Sequence, residues 1–76
     1  YYVMPYLLGD KIVARFDLAN RRNTKSLNVL GAFSEKESNA RNVGKSAYST
    51  LKKFAFFLGS SNLEIEENGD LSKYLK

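Results

Sequence analysis

Seventy-six residues with a net charge of +4 and neither cysteine nor histidine make one small domain. That composition excludes disulfide stapling, the usual zinc ligand sets and imidazole-based acid–base catalysis. No apolar run approaches the roughly 18 residues of a membrane span, so the chain is expected to be cytoplasmic, with no cofactor, no metal and no membrane partner.

The charge is unevenly spread. Residues 11–53 hold ten Lys or Arg against Asp17, Glu35 and Glu37, whereas residues 54–76 hold two lysines against Glu64, Glu66, Glu67 and Asp70. A basic segment of this kind suits a polyanionic partner. The chain opens YYVMPYLLGD without an initiator methionine, and residues 1–76 read as a single domain cut from a longer protein.

In chain order, residues 2–8 (YVMPYLL) are apolar on both alternating faces and predict a strand with a second partner surface. Pro5 places it at a sheet edge, because proline cannot donate to a ladder. Residues 8–10 predict a tight turn. Residues 11–18 alternate as a strand with Ile12, Ala14, Phe16 and Leu18 inward and Lys11, Arg15 and Asp17 outward; Val13 breaks the outer row. Residues 19–25 form a polar loop in which Arg21, Arg22 and Lys25 have no acid among them.

Residues 26–33 predict the next strand, with Leu27, Val29 and Phe33 on one face and Gly31 marking a bulge or a close backbone approach. Residues 34–41 lack periodicity and read as loop. A helix fits residues 40–58, since Val43, Ala47, Leu51, Phe54 and Leu58 fall within about 80° of arc; Gly59 stops it. Arg41, Lys45 and Lys52 line up on the opposite side, where a solvated face is the simpler explanation. Phe56 lies beside them and, with the two-faced first strand at Tyr2, is expected to pack on a neighbouring domain. Residues 63–66 predict a short strand with Leu63 and Ile65 inward, and Asp70 is expected to cap a final helical turn from which Leu71, Tyr74 and Leu75 pack back. The order β-β-β-α-β-α predicts an α+β fold: a curled, mostly antiparallel sheet, or partial barrel, with one main amphipathic helix.

Catalytic constellations are missing. Glu64 and Glu66 share a strand face, but alternation on an exposed face explains them better than a paired-carboxylate site. EENGD lacks the oxygen-ligand spacing of a calcium loop, and no glycine-rich run cradles phosphate. Asn39 and Asn42 suit a helix start. The basic hairpin at Arg21, Arg22 and Lys25 remains the strongest local signal. Two strands ending in arginines can form an arm that follows phosphates or enters a minor groove.

The run PYLLGDKIVARFDLANRR, Pro5 to Arg22, resembles the Pro-aromatic-Leu-x-Gly-Asp-x-[LI]-Val-x-Arg-x-Asp-Leu-x-x-x-Arg signature near the C-terminus of the YcaQ/AlkZ-like winged-helix DNA glycosylases. LNVLGAFSE, ending in Glu35, is similar to that family's next strand, and LKKFAFFLGS to its helix end. Gly69, Asp70 and Leu71 match its closing Gly-Asp-Leu. The likeness covers nearly the whole chain in order. Arg21 departs from it, standing where Asp is frequent, and Phe57 replaces a common Trp as a conservative packing change.

The resemblance implies a C-terminal domain of a protein that excises alkylated or crosslinked bases without a metal. Its partners would be duplex DNA and upstream winged-helix domains of the same chain. The family's Gln-x-Gln or Gln-x-Asp catalytic motif lies upstream, and this chain contains no glutamine, so no catalytic residue is carried over. Arg21, Arg22 and Lys25 would then clamp the DNA backbone, and Arg15 with Asp17, both matched to the signature, would form a structural ion pair orienting the arm. The alternative is a purely structural module that packs on neighbouring domains and touches no nucleic acid.

Overall fold

A computed structural model describes residues 1–35 and 39–75. Four strands and one helix follow the expected order: β1 Tyr2–Leu8, β2 Lys11–Arg21, β3 Ser26–Ser34, α1 Ala40–Phe57 and β4 Asn62–Ile65, then a single 3₁₀ turn at Ser72–Tyr74. The architecture is α+β. The sheet is mixed and open, in the order β1-β2-β3-β4, with β1–β2 and β2–β3 antiparallel and β3–β4 parallel. Pro5 lies, as its missing N–H requires, on edge strand β1. The parallel pairing follows from α1, which carries the chain back across one face before β4 begins. The predicted loop over 34–41 falls partly on residues 36–38, outside the described residues.

Two bulges change which side chains face the helix. In β1–β2, Tyr6 pairs with Ala14 and Leu7 with Ile12, so Val13 is an extra residue. Alternation therefore changes phase there: Val13 is buried and Ile12, expected inward, is exposed. In β2–β3, Asp17 pairs with Gly31 and Leu18 with Val29, leaving Leu30 as the extra residue. Ala32 then takes the core position expected for Phe33, and Phe33 turns to the uncovered face, where the Arg15 guanidinium lies 4.5 Å from its ring centroid.

Phe16, Leu18, Leu27, Val29 and Leu51 form the centre of the core, closed at one end by Leu71 and Leu75. Helix α1 buries Val43, Gly44, Ala47, Leu51 and Ala55; Phe54 and Leu58, expected at the centre of that face, are only half-buried at its margin. Asn39 caps the start, its side chain accepting from the Asn42 N–H at 3.1 Å. At the other end Gly59 has φ +79, and Ser60 N–H donates to the Ala55 carbonyl, a Schellman stop. The Tyr6 hydroxyl meets Ser46 Oγ and ties one flank of α1 to β1. The other flank looks toward β4 and the 3₁₀ turn.

Strand β4 covers β3 only from Ser26 to Val29. Beyond it, residues 68–71 cover the rest of that edge. Ala32 N–H donates to the Asn68 carbonyl, Leu71 N–H donates to the Ala32 carbonyl, and Asn68 Nδ2 donates to the Leu30 carbonyl at 2.9 Å. Gly69 permits this closeness: its φ is +96, and a Cβ there would lie 2.0 Å from the Ala32 oxygen. Asp70 does not cap the final turn, because its carboxylate accepts from the Ser34 N–H and hydroxyl instead. Partial burial raises the Asp70 pKa, but the Ser34 bonds, its own N–H and nearby Lys73 outweigh that and leave it below its ordinary value.

Candidate nucleic-acid interface

The basic hairpin is tighter than the sequence predicts. Ala19, Asn20 and Arg21 join β2, pairing with Asn28, Leu27 and Ser26, and the loop shrinks to residues 22–25. Arg22, Lys25 and Arg21 are all exposed. Alternation from buried Leu18 puts Asn20 on the helix side, where its Oδ1 accepts from Ser60 Oγ at 2.8 Å, and sends Arg21 to the uncovered face.

The tip is not a free arm. Lys25 N–H donates to the Arg22 carbonyl at 3.2 Å, and the Lys25 carbonyl accepts from both Ser61 and Asn62 N–H at 3.0 and 3.1 Å. These two bonds fasten the hairpin to the segment leaving α1. They also hold Lys25 at φ +51, the one non-glycine residue with positive φ among those described. That conformation costs an L-residue about 1–2 kcal/mol. Thr24 Oγ1, 2.8 Å from Ser26 Oγ, supports the turn from inside. Arg22 and Lys25 are thus displayed on a short, pinned loop, with Arg21 beside it at the end of β2.

Arg15 and Asp17 do approach each other on the uncovered face, Nε to Oδ1 at 3.9 Å. At that length and exposure such a pair contributes about 0–1 kcal/mol. The Phe33 ring below the Arg15 guanidinium is a second partner on the same face, its centroid 4.5 Å away. Tyr2 and Phe56 lie on opposite sides of the molecule: Tyr2 is on edge strand β1, whereas Phe56, 84% exposed, lines a groove beside β4. Phe57, matched to a packing Trp, is 82% exposed and lies outside the core cluster of the described residues.

The groove beside Phe56, of about 930 Å³, is bounded by Thr24 of the hairpin, Tyr48 and Lys52 of α1, and Ser61 and Asn62 of the connecting segment. The carboxylate of neighbouring Glu64 accepts weakly from Asn28 Nδ2 at 3.4 Å. Lys52 Nζ stands 5.3 Å from the Tyr48 ring centroid. At the far end of the same flank, Arg41 and Lys73 stand 6.0 and 5.2 Å from the Tyr74 ring. Sequence reasoning passed over Tyr48 and Tyr74 as partners for cations. Spacing i,i+4 could have joined Tyr48 to Lys52. No local signal joins Arg41 to Tyr74.

Among the described residues no cluster of three or more His, Cys, Asp or Glu could hold a metal ion, and no helix is long and apolar enough to cross a membrane. No protein family, curated protein or solved structure matches the chain.

Proposed function

We propose that the chain is a non-catalytic module that grips the backbone of duplex DNA through Arg21, Arg22 and Lys25. The observation that carries this reading is the pinned tip: three exposed cations without an acid, one of them held in a conformation that favours glycine or asparagine. Unfavourable backbone conformations persist where surrounding structure holds them, and they cluster at functional positions. A tip with a pinned backbone loses little backbone freedom on binding, so less of its phosphate-contact energy is offset by ordering. In line with the resemblance of residues 5–71 to winged-helix DNA glycosylases, the module would steady DNA while winged-helix domains of a longer chain excise the damaged base. Extracting a base costs a few kcal/mol, and backbone contacts supply that energy without reading sequence.

Salt-dependent binding to a duplex tests this. Replacing two phosphate-contacting arginines, Arg21→Ala with Arg22→Ala, lowers the slope of log K against log salt by about 2. A slope equal to wild type would reduce the tip to a solubility feature.

A second reading has its own support. Leu7 and Ile12, about half exposed (47% and 49%), pair directly across β1–β2, and Pro5 and Val3 (54% exposed) continue the same face of β1, opposite Arg15 and Asp17. A contiguous apolar patch of this kind suits a neighbouring protein domain. It lies away from the hairpin tip, so docking there and DNA contact are compatible.

A further inference from the structure

We infer that the flank of α1 carrying Arg41, Lys45 and Lys52 is a second backbone-binding strip for duplex nucleic acid, running from Tyr74 into the groove beneath the hairpin tip. This rests on the reading of nucleic acid as the partner and extends it to a surface the hairpin does not include.

The row is straight. At about 100° per residue, Arg41, Lys45 and Lys52 fall within about 40° of one another. They span about 16 Å at 1.5 Å per residue, the axial length of roughly five phosphates along one strand. Helix α1 contains Arg41, Lys45, Lys52 and Lys53 and no acid at all. Soluble surfaces ordinarily mix both signs, so a one-sign face is not what solubility asks for. Nor does helix stability ask for it. Arg41 sits in the first turn, which has no acidic residue. A cation there opposes the macrodipole at a cost of about 0.3–1 kcal/mol. Among the described residues the one ion pair is Arg15–Asp17, on the uncovered face of the sheet, so it neutralises none of the row.

The tyrosines within the row favour a duplex, although Phe56, 84% exposed, lines the groove at its end. Single-strand binders offer open rings on which bases stack. Here Tyr48 is half-buried with Lys52 against it, and Tyr74 is half-buried with Arg41 and Lys73 around it. These rings hold cations in place rather than receive bases, which suits phosphates on the outside of a duplex. The close approach of α1 to the 3₁₀ turn sets this up: a Cβ on Gly44 would lie 2.4 Å from Tyr74 Cβ. At the other end Thr24 and Lys52 line the same groove, so strip and tip meet there.

The test compares salt titrations on a short random-sequence duplex for wild type, Arg41→Gln/Lys45→Gln/Lys52→Gln, and Arg21→Ala/Arg22→Ala. All substituted positions are exposed, and unchanged thermal melting checks that each variant folds. The helix triple variant lowers the log–log salt slope by about 2.7, while Arg41→Lys/Lys45→Arg/Lys52→Arg keeps it. A triple variant with wild-type slope overturns the strip; if the hairpin variant still flattens the slope, the hairpin reading survives alone. The reverse pattern removes the hairpin and leaves the strip. Wild type that ignores duplex at low salt but sediments with vesicles of phosphatidylserine and phosphatidylcholine overturns both, and identifies the polyanion as a membrane surface.

Discussion

The two sides of this small domain are exposed in opposite ways. On the β1 side, Val3, Leu7, Leu8 and Ile12 present apolar surface, and the neighbouring Arg15 is paired with Asp17 and stacked on Phe33. On the α1 side, Arg41, Lys45 and Lys52 run in a row toward a hairpin tip bearing Arg22 and Lys25, with Arg41 near the Tyr74 ring and Lys52 near that of Tyr48. Apolar exposure on the first side would be relieved by docking on another protein surface, which removes hydrocarbon from water. The row of positive charge on the second, with Glu64 the acid lining the groove at its end, would suit the proposed partner, which brings negative charge and releases counterions. Under the proposed function, one domain would be docked from one side and hold nucleic acid with the other.

The largest expected effect breaks the basic side as a structure. Gly69→Ala puts a methyl group against the Ala32 carbonyl at a positive φ, so the 68–71 clasp must lift and take Leu71 and Tyr74 with it. A loss of about 3 kcal/mol or more is expected in urea unfolding. A loss below about 1 kcal/mol would mean that the clasp does not hold the basic flank.

Lys25→Gly sharpens the contrast because stability and binding move in opposite directions. Relief of the left-handed conformation raises stability by about 0.5–1 kcal/mol, whereas losing one phosphate contact lowers the salt slope by about 0.9. Stability and slope falling together would mark Lys25 as a structural residue.

The smallest effect is expected on the apolar side. Leu7→Lys with Ile12→Lys alters half-exposed positions, and thermal unfolding should change by no more than about 0.5 kcal/mol per site. The same substitutions should abolish any self-association seen by analytical ultracentrifugation. A large loss of stability instead would place this patch within the domain's own core.

Local pattern was enough for much of the fold. A short apolar run marked β1, alternation marked β2 and β3, Pro5 marked the edge, and the apolar row with Asn39 and Gly59 delimited α1, because each signal acts within a few residues of itself. The basic hairpin was equally legible as charge without acid. Its shape was not, because the bonds that pin it come from Ser61 and Asn62, more than thirty positions away.

By itself, then, the sequence determined the order of elements, the inward faces of β2 and α1 over most of their length, and the concentration of positive charge between residues 11 and 53. Tertiary structure alone decided the rest. The extra residues Val13 and Leu30 are defined only by the partner strand, so the exchange of Ile12 for Val13 and of Phe33 for Ala32 cannot be read from either strand alone. Asp70 left its capping position because Ser34 of β3 lay within reach. Arg41 became a neighbour of Tyr74 only because the fold closes the 3₁₀ turn onto Gly44. Short-range propensity is written residue by residue, whereas register and juxtaposition belong to pairs of segments and exist only once those segments pack.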